Sequence, residues 1–342
     1  MANCNKLFLK FNNELNITTT KKTALLGSAK AVKTQITNYF KANHSEYTPM
    51  YAYQGSYKLK TMIRTKKDTC DIDIGVYLRE KPDVVASTIQ GYVWDALENH
   101  SGSTPSHKNK CIRIDYASQY NIDVPVYYKA DLADNSVSPK LATKNDGWLD
   151  SDPLRFYEWV TTHANYCEQL VRIIRYLKSW SDTADKKLPP GVALTVIATN
   201  HFSKKDDRDD LSLLETAKNI RASLRTYYAI KMKVSPYDDL LADFITPERK
   251  DYLFEQLDKL ITEGDKAANS EKNQLTASKI WYKLLGERFP AGADEDVDAK
   301  EKALLEKAKI ILSSTAYTDK KANVTENSNN GLKNPPHKNF GG

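Results

Sequence analysis

Three aspartates are the residues of this chain whose type and spacing most directly suggest chemistry. Asp71 and Asp73 lie in the stretch CDIDIGVYL, which alternates apolar and polar residues as a half-buried strand does. Residues i and i+2 of a strand point to the same side, roughly 7 Å apart, so both carboxylates face one way. Asp123, in NIDVPVYY, alternates with apolar residues in the same manner. If the two strands are neighbours, the three carboxylates can hold hard divalent ions such as Mg²⁺, including the pair of ions of a two-metal site.

A glycine–serine pair upstream adds a phosphate-binding feature. Gly55 and Ser56 follow the run MYAYQ. A glycine here lets the backbone approach a triphosphate closely, and the N–H groups around it form a nest for anions. The Ser56 hydroxyl can donate to a phosphate oxygen, and Gln54 can hydrogen-bond a nucleotide or the loop. Lys58 and Lys60 lie nearby in the sequence and can balance the negative charge of the phosphates.

Each part of this pattern also has an ordinary structural explanation. An Asp-x-Asp triplet is common on the solvated face of a strand, where it does no chemistry. The combination of Gly-Ser, Asp-x-Asp and a third aspartate on a later strand is much more specific than any one part. It favours a metal-dependent site for nucleoside triphosphates.

The segment that carries these residues reads as a sheet-and-helix domain, residues 1–150. Apolar residues at helical spacing predict an amphipathic helix over 23–43, and a second helix is predicted over 82–99. The predicted strands cover residues 50–56, 72–78, 111–117 and 121–128. The last two are joined by a short polar turn at 118–121. Strands and helices in this order predict an α+β sheet domain.

From residue 151 the sequence becomes helical. Asp152 and Pro153 are typical of a helix N-cap and first turn, and that helix is predicted to run to about Trp180. The residues predicted on its buried side are Trp159, Tyr166, Leu170, Ile173 and Leu177. A short apolar segment follows, and residues 204–210, KKDDRDD, are predicted to be a solvated connector.

Further helices over residues 211–289 complete a helical domain, residues 151–312, that is expected to close a nucleotide cleft. Residues 313–342 contain few large aliphatic side chains and much Asn, Lys, Pro and Gly. They are predicted to form a disordered tail.

Composition predicts a soluble cytoplasmic protein. Among 342 residues there are four cysteines, none with metal-ligand spacing, which predicts reduced thiols. No apolar run approaches membrane-spanning length, and no signal-peptide pattern is visible, so no membrane association is expected. The formal net charge of +6 suits a protein that handles polyanionic small molecules or nucleic acid, but it is far below the charge density of a DNA-coating protein, and no stable nucleic-acid partner is predicted.

The three stretches QGSYKLKT, CDIDIGVYL and NIDVPVYY together resemble the active-site pattern of the DNA polymerase β-like nucleotidyltransferases. RIIRYLKSWSD, LPPGVALTVIATNHF and ASKIWYKLLGERFP resemble the helical half of bacterial cGAS/DncV-like nucleotidyltransferases, the CD-NTases of CBASS antiphage operons. The likeness covers roughly residues 39–290. It implies that family's fold, and an enzyme that joins NTPs, with ATP and GTP expected first, into a cyclic di- or trinucleotide that activates a downstream effector.

The resemblance also implies roles for individual residues. Asp71, Asp73 and Asp123 would hold two Mg²⁺ ions, and Asp123 would help to deprotonate the attacking hydroxyl. The residues that would bind the nucleotide and its phosphates are Gln54, Gly55, Ser56, Lys178 and Thr195. The chain departs from the family at Lys60-Thr61, where many members have Gly-Thr.

Several of these residues have alternative explanations. Lys178 shares a basic stripe with Arg172 and Arg175, and a solvated helix face is the expectation for the two arginines. Thr195 equally suits a role in satisfying a buried backbone group. Arg113 suits a cross-strand ion pair as well as a contact to the acceptor nucleotide.

The chain ends in Gly341-Gly342, as ubiquitin-like proteins do. The resemblance implies ligation of Gly342 to a target by an E1/E2-like partner, as in type II CBASS. Two other functions stay open from the sequence. One is a nucleotidyltransferase that modifies an RNA, a protein or a small molecule, and the other is a non-catalytic nucleotide sensor.

Overall fold

The computed structural model describes residues 2–98, 104–116, 119–134, 136–312, 317–321, 324–325, 328 and 331–333. The strands are β1 (Met50–Gln54), β2 (Asp71–Leu78), β3 (Ser106–His107), β4 (Ile112–Tyr116), β5 (Tyr120–Val124), β6 (Val126–Tyr128), β7 (Lys140–Ala142), β8 (Trp148–Asp150), β9 (Tyr317–Asp319), β10 (Val324–Thr325) and β11 (Gly331–Lys333). The helices are α1 (Asn5–Glu14), α2 (Thr19–Asn43), α3 (Gly55–Lys58), α4 (Ala86–Leu97), α5 (Pro153–Thr162), α6 (Glu168–Thr183), α7 (Gly191–His201), α8 (Asp209–Thr226), α9 (Pro247–Asp265), α10 (Gln274–Leu285) and α11 (Val297–Leu312). A 3-10 helix covers Ala242–Phe244 and a π-helical turn covers Lys266–Ser270. This is the α+β architecture that the sequence predicts.

The first eight strands form one mixed sheet in the order β3-β4-β5-β2-β6-β7-β8, with β1 paired antiparallel to β2. Strand β2 lies parallel to both β5 and β6. The sequence predicts a single strand over 121–128, but the structure divides it at Pro125, which has no N–H to donate to a neighbouring strand. The Pro125 carbonyl still accepts from Val76 N–H at 2.9 Å, so the two short strands continue along the same edge of β2.

One face of the sheet packs against α2 and α4. The apolar residues of α2 that the sequence predicts at helical spacing are all fully buried, as are Ile72, Ile74, Val76 and Leu78 of β2. The opposite face is less open than strict alternation predicts, because Tyr77 is also fully buried. It stacks on Tyr127 with ring centroids 4.8 Å apart. The carboxylates of β2 therefore stand at one end of a strand that is otherwise buried on both sides.

The first helix, α1, packs in the helical half of the molecule. Phe8 is fully buried, and its ring lies 5.0–5.2 Å, centroid to centroid, from the rings of Tyr176, Trp281 and Phe289. Arg64 N–H donates to the Leu15 carbonyl at 2.8 Å, which ties α1 to the segment after α3. This packing departs from the predicted assignment of all of residues 1–150 to the sheet domain.

The helical half differs from the sequence prediction at two places. The helix predicted from Pro153 to about Trp180 is two helices, α5 and α6, and Tyr166 lies in the break with 39% of its surface exposed. The prediction of a buried side is right for Leu170, Ile173 and Leu177. Asp152 is the N-cap of α5 and accepts from Arg155 N–H at 3.0 Å, as predicted.

The predicted solvated connector, residues 204–210, is also partly buried. Asp209 and Asp210 have no exposed surface. Asp209 accepts a bidentate pair of hydrogen bonds from Arg172 at 2.6 and 2.9 Å, and Arg175 is itself buried against Asn12 and Asn16 of the N-terminal segment. The expectation of a solvated arginine face is therefore wrong, because Arg172 pairs with the buried carboxylate of Asp209 and Arg175 is buried against the N-terminal segment.

Within the segment predicted as a tail, residues 313–342, the structure describes a small sheet in the order β10-β9-β11. Gly341 and Gly342 lie outside the described residues. Across the described ranges, no helix has the length and apolar character needed to cross a bilayer.

Candidate active site

The parallel pairing of β2 and β5 brings the three aspartates together. Asp73 is in register with Asp123, and Asp71 is in register with Asn121, whose side-chain amide donates to Asp71 Oδ1 at 3.0 Å. On the other side of β2, Gln54 of β1 is in register with Asp73. Two of the predicted carboxylates therefore stand on adjacent strands, and the third is two residues away on the same face.

The charges of this cluster act on one another. Burial, and then the neighbouring charges of Asp123 and Asp71, raise the pKa of Asp73 from 3.8 to about 6. Arg113 and Lys178 act in the opposite direction. Burial also raises the pKa of Asp71, although it is the most solvent-exposed residue of β2. A cation placed among these groups would relieve both the desolvation and the repulsion.

Arg113 of β4 is the cation that faces Asp123 in this structure. Its Nε and one terminal nitrogen donate to the two carboxylate oxygens of Asp123, each at 2.7 Å. The two residues are cross-strand partners in the antiparallel pair β4–β5, so the predicted cross-strand ion pair is confirmed. This hydrogen bonding raises the pKa of the guanidinium group, which stays charged.

The donor set fits Mg²⁺, because three carboxylates supply hard oxygen ligands. In the geometry seen, however, Arg113 takes both oxygens of Asp123. Within the described ranges, no group of three acidic, histidine or cysteine side chains is arranged to hold a metal ion. Metal binding by all three aspartates would therefore require Arg113 to release at least one Asp123 oxygen.

The turn from β1 into α3 is held tightly over Asp73. Gly55 has φ +58°, a left-handed conformation that glycine adopts without strain. A Cβ atom at this position would lie 2.1 Å from Asp73 Oδ2, so only glycine allows the backbone this close to the carboxylate. Ser56, the next residue, lines the cleft above the aspartates.

Gln54 also lines the cleft, but its side-chain amide already forms hydrogen bonds within the protein. Its nitrogen donates to the Tyr77 hydroxyl at 2.7 Å, and its oxygen accepts from the Tyr127 hydroxyl at 3.3 Å. The side chain thus braces the sheet beneath the site, a placement that the sequence pattern does not reveal.

Lys178 of α6 reaches the site from the helical half. Its ammonium group donates to the carbonyl and hydroxyl oxygens of Thr61, at 3.1 and 3.0 Å. Its aliphatic part lies against Gly191, where a Cβ would approach Lys178 Cε to 3.2 Å. Burial lowers the pKa of Lys178 to about 8, while the charge of Asp73 acts in the opposite direction. Thr61 therefore positions Lys178 through these two hydrogen bonds. It belongs to the Lys60-Thr61 pair that departs from the Gly-Thr of the resembled family.

Thr195 lies one turn into α7 and lines the cleft. Its hydroxyl donates to the Gly191 carbonyl at 2.7 Å, so the group satisfies its own helix backbone. This is the second of the two explanations that the sequence left open.

Asp152 is a cleft residue that the sequence analysis identified only as a helix cap. It is 2% exposed, and Oδ1 accepts from Arg155 N–H. The second oxygen, Oδ2, is buried and has no hydrogen-bond partner among the described residues. An unsatisfied buried carboxylate oxygen is costly, and in a ligand cleft it is a ready acceptor for a ligand N–H group. No sequence signal separates this role from capping.

The cleft between the two halves has a volume of about 360 Å³. The lining from the sheet half includes Gln54, Gly55, Ser56, Asp71, Asp73 and Asp123, and that from the helical half includes Asp152, Phe156, Lys178, Thr195 and Val234. Every predicted nucleotide or metal residue among the described residues therefore borders one cavity of a size typical for small ligands.

Comparison with known proteins gives consistent matches. The family model of the nucleotidyltransferase domain of DncV-like cyclic GMP-AMP synthases matches residues 49–127, which include all three aspartates. A cyclic GMP-AMP synthase of Escherichia albertii is 29% identical over 256 residues, which are 67% of this chain and 55% of that protein. Residues 49–127 are therefore similar to the nucleotidyltransferase domain of the cGAS/DncV-like family, and the longer match shows that the similarity extends beyond this domain.

Solved structures of this family share the fold. The DncV cyclic AMP-GMP synthase of Vibrio cholerae superposes with a TM-score of 0.72 at 19% identity, over 85% of this chain and 98% of that one. Its complex with nonhydrolyzable GTP gives a TM-score of 0.74 at 19% identity, over 85% and 97% of the two chains. The chain spans about half the length of its curated relative, and the whole fold of these solved structures.

Proposed function

We propose that the chain is a Mg²⁺-dependent nucleotidyltransferase that joins NTPs, with ATP and GTP first, into a cyclic di- or trinucleotide. The observation that carries the proposal is the register of Asp73 with Asp123 under a cleft that Lys178 and the Gly55 turn enclose. The related cyclic GMP-AMP synthase and the DncV structures support the reaction class.

In this proposal the residues divide the work. Asp71, Asp73 and Asp123 hold two Mg²⁺ ions, which would neutralise triphosphate charge and make the attacking hydroxyl more acidic. Lys178 holds a phosphate by charge and hydrogen bonding. The backbone of Gly55 and the hydroxyl of Ser56 bind another phosphate from the opposite wall of the cleft.

The chemical step is an in-line displacement. The oxygen of a ribose 2′- or 3′-hydroxyl bonds to the α-phosphorus of a second NTP, the bond from that phosphorus to the pyrophosphate oxygen breaks, and pyrophosphate leaves. Asp123, once Arg113 has released it, takes the hydroxyl proton. A second or third round within the bound intermediate closes the ring, and positioning and charge neutralisation supply most of the rate gain.

Asp152 would recognise the base of a bound nucleotide by hydrogen bonding. Its buried Oδ2 accepts an N–H from a base edge, and Phe156 beside it offers an aromatic ring for stacking. Thr195 supports the same wall through its helix.

The resemblance to cGAS/DncV-like nucleotidyltransferases suggests a cellular role. We infer that the product activates an effector in CBASS antiphage signalling in the cytoplasm, and that an E1/E2-like ligase conjugates the chain through Gly342. Removal of Gly341 and Gly342 should abolish any covalent adduct in cells and leave nucleotide synthesis intact; loss of both activities would contradict the conjugation role.

The test of the activity is Asp73→Asn in the full chain, assayed with radiolabelled ATP and GTP and Mg²⁺. The wild type should form a phosphatase-resistant product, and the variant should form none. The variant should also be more stable than wild type at pH 7, by about 1–3 kcal/mol, because a carboxylate whose folded pKa is raised costs stability when ionised. That cost shrinks as the pH falls through about 6.

Asp251→Asn on the exposed side of α9 is the matched control, with wild-type synthesis and stability expected. Label that appears on RNA or protein without a cyclic product would favour another acceptor. Thermal stabilisation by a nonhydrolysable NTP that does not depend on Mg²⁺, with no product formed, would favour a non-catalytic nucleotide sensor.

A further inference from the structure

A second cavity, of about 750 Å³, lies beside the α3 turn, and no described residue lines both this cavity and the active-site cleft. We call it the lysine–tyrosine groove, after Lys22, Lys58, Lys60, Tyr53, Tyr57 and Tyr157, which line it. These residues come from α2, β1, α3, the turn after α3, and α5. The groove is therefore a feature of the folded chain that no single stretch of sequence displays.

The aromatic rings of the groove are only partly covered. Tyr53, Tyr57 and Tyr157 are all half-buried. The Tyr53 and Tyr57 rings lie 5.2 Å apart, centroid to centroid, at a tilted angle of 57°. Planar ligands stack on partly exposed rings of this kind, and each stacked base contributes about 1–3 kcal/mol in single-strand binding proteins.

Among the described residues, the charged side chains that line the groove are all lysines. Lys33 Nζ lies 4.8 Å from the Tyr53 ring centroid, and Lys58 Nζ lies 4.8 Å from that of Tyr157. Lys22 and Lys60 are exposed. Among the described residues, none of these four lysines forms an ion pair with a carboxylate, and no acidic side chain lines the groove. Positive charge that is not balanced by carboxylates attracts polyanionic ligands to this surface.

We propose that the lysine–tyrosine groove binds a short single-stranded oligonucleotide. Three separate rings with lysines distributed among them match a ligand whose bases alternate with single phosphates. One base with a clustered triphosphate would use a single ring. A positively charged groove with aromatic platforms is how proteins bind single strands without reading their sequence. The proposal departs from the expectation of no nucleic-acid partner. That expectation used the formal net charge of +6, which is summed over the whole chain and does not reveal a local concentration of lysines.

The groove adjoins the active site through α3. Ser56 faces the cleft, whereas Tyr57 and Lys58 face the groove. A ligand in the groove would thus lie one residue from the phosphate-binding turn. The same chemistry is offered by cellular single-stranded RNA and by a nucleotide product of the chain itself, and competition separates these two sources.

The experiment measures fluorescence anisotropy of a labelled single-stranded RNA of about ten nucleotides on the full chain, at several salt concentrations. Lys22→Gln with Lys60→Gln should weaken binding about tenfold and flatten the salt dependence, since fewer counterions are released. Tyr57→Leu should weaken binding about tenfold and leave the salt dependence unchanged, because stacking carries no charge.

The control is Lys302→Gln with Lys307→Gln on the exposed face of α11, which removes the same charge outside the groove and should bind as wild type. Asp73→Asn should bind RNA normally, so loss of catalysis and loss of RNA binding are separable. Tighter displacement by unlabelled RNA supports a cellular ligand, and tighter displacement by a cyclic dinucleotide supports a product ligand. Equal binding of duplex RNA, equal weakening in the control, or displacement by ATP as effective as by RNA would overturn the proposal.

Discussion

The positive charge of Lys178 can bind a phosphate, but burial makes the charged form less stable while no phosphate is bound. Its ammonium group has two hydrogen bonds to Thr61, and burial lowers its pKa to about 8. A phosphate that reaches it gains a charge-assisted hydrogen bond and removes the desolvation cost, because the ion then has a partner.

Lys178→Met should therefore raise the KM for ATP by roughly 10- to 100-fold, the equivalent of about 1.5–3 kcal/mol for a hydrogen bond to a charged group. In the wild type, the charged fraction of Lys178 falls as pH rises through about 8, so KM should rise over that range. The variant has no such group, and its KM should not follow this titration. Initial rates of pyrophosphate release between about pH 7 and 9 provide the measurement.

Lys279→Met, at an exposed position on α10, is the control and should keep the wild-type KM at every pH. If Lys178→Met showed the same rise of KM above pH 8 as wild type, another group would be responsible and the assignment would be wrong.

The individual residues also show what a sequence can and cannot reveal about a site. The positions of Asp71, Asp73 and Asp123 follow from strand alternation, since a side chain's face is fixed by its backbone. The bidentate hydrogen bonds from Arg113 to Asp123 do not follow, because they depend on which strands are neighbours. The Asp152 oxygen that has no hydrogen-bond partner in the described part of the chain does not follow either, because it depends on what covers the helix cap.

Among the secondary-structure elements, the β1–α3 turn is the one whose geometry the site most depends on. Gly55→Ala should destabilise the chain by about 1–3 kcal/mol, because the residue has φ +58° and its Cβ would meet Asp73 Oδ2 at 2.1 Å. Synthesis should fall much further than stability, since either the turn or the carboxylate must move. Thermal melting and product formation on the same sample test both statements.

Gly27→Ala is a matched glycine substitution on α2, where an added Cβ would have no atom of the described residues within 4 Å. It should leave activity intact and stabilise the chain by up to about 1 kcal/mol through helix propensity. Equal activity in Gly55→Ala and Gly27→Ala would mean that the turn's approach to Asp73 has no functional role.

Most elements could be predicted because their apolar spacing is strong, as in α2 and β2. The break between α5 and α6 could not, since apolar spacing continues through it without glycine or proline. It is maintained by local and tertiary contacts, in which Asn165 N–H donates to His163 Nδ1 and its side-chain amide donates to the Thr199 carbonyl. The same limit applies to Asp209, whose charge reads as solvated until Arg172 is seen beside it.

For the molecule as a whole, the N-terminal helix joins what the sequence presents as separate parts. Phe8 is central to an aromatic cluster with Tyr176, Trp281 and Phe289, and its carbonyl accepts from the Tyr176 hydroxyl at 2.8 Å. Leu15, just beyond the helix, accepts from Arg64 in the segment that leads from Thr61 to β2. The chain start thus connects the helical core to the loop that positions Lys178.

Phe8→Ala should lower the free energy of unfolding by about 3–5 kcal/mol, because it leaves a cavity inside a packed aromatic cluster. Leu9→Ala, on the same helix but 39% exposed, should cost well under half of that. Urea denaturation followed by tryptophan fluorescence measures both. Since a domain of ordinary stability has about 5–15 kcal/mol in total, the Phe8 variant should be near its limit at 37 °C and still active when assayed cold.

The alternative to this coupling is that α1 is a passive extension. In that case Phe8→Ala would shift only a minor early phase of unfolding, and synthesis would persist up to the wild-type inactivation temperature. A cleft whose two walls come from different halves needs both halves in place to position Lys178 above Asp73. We therefore expect activity and the main unfolding transition of the Phe8 variant to be lost together.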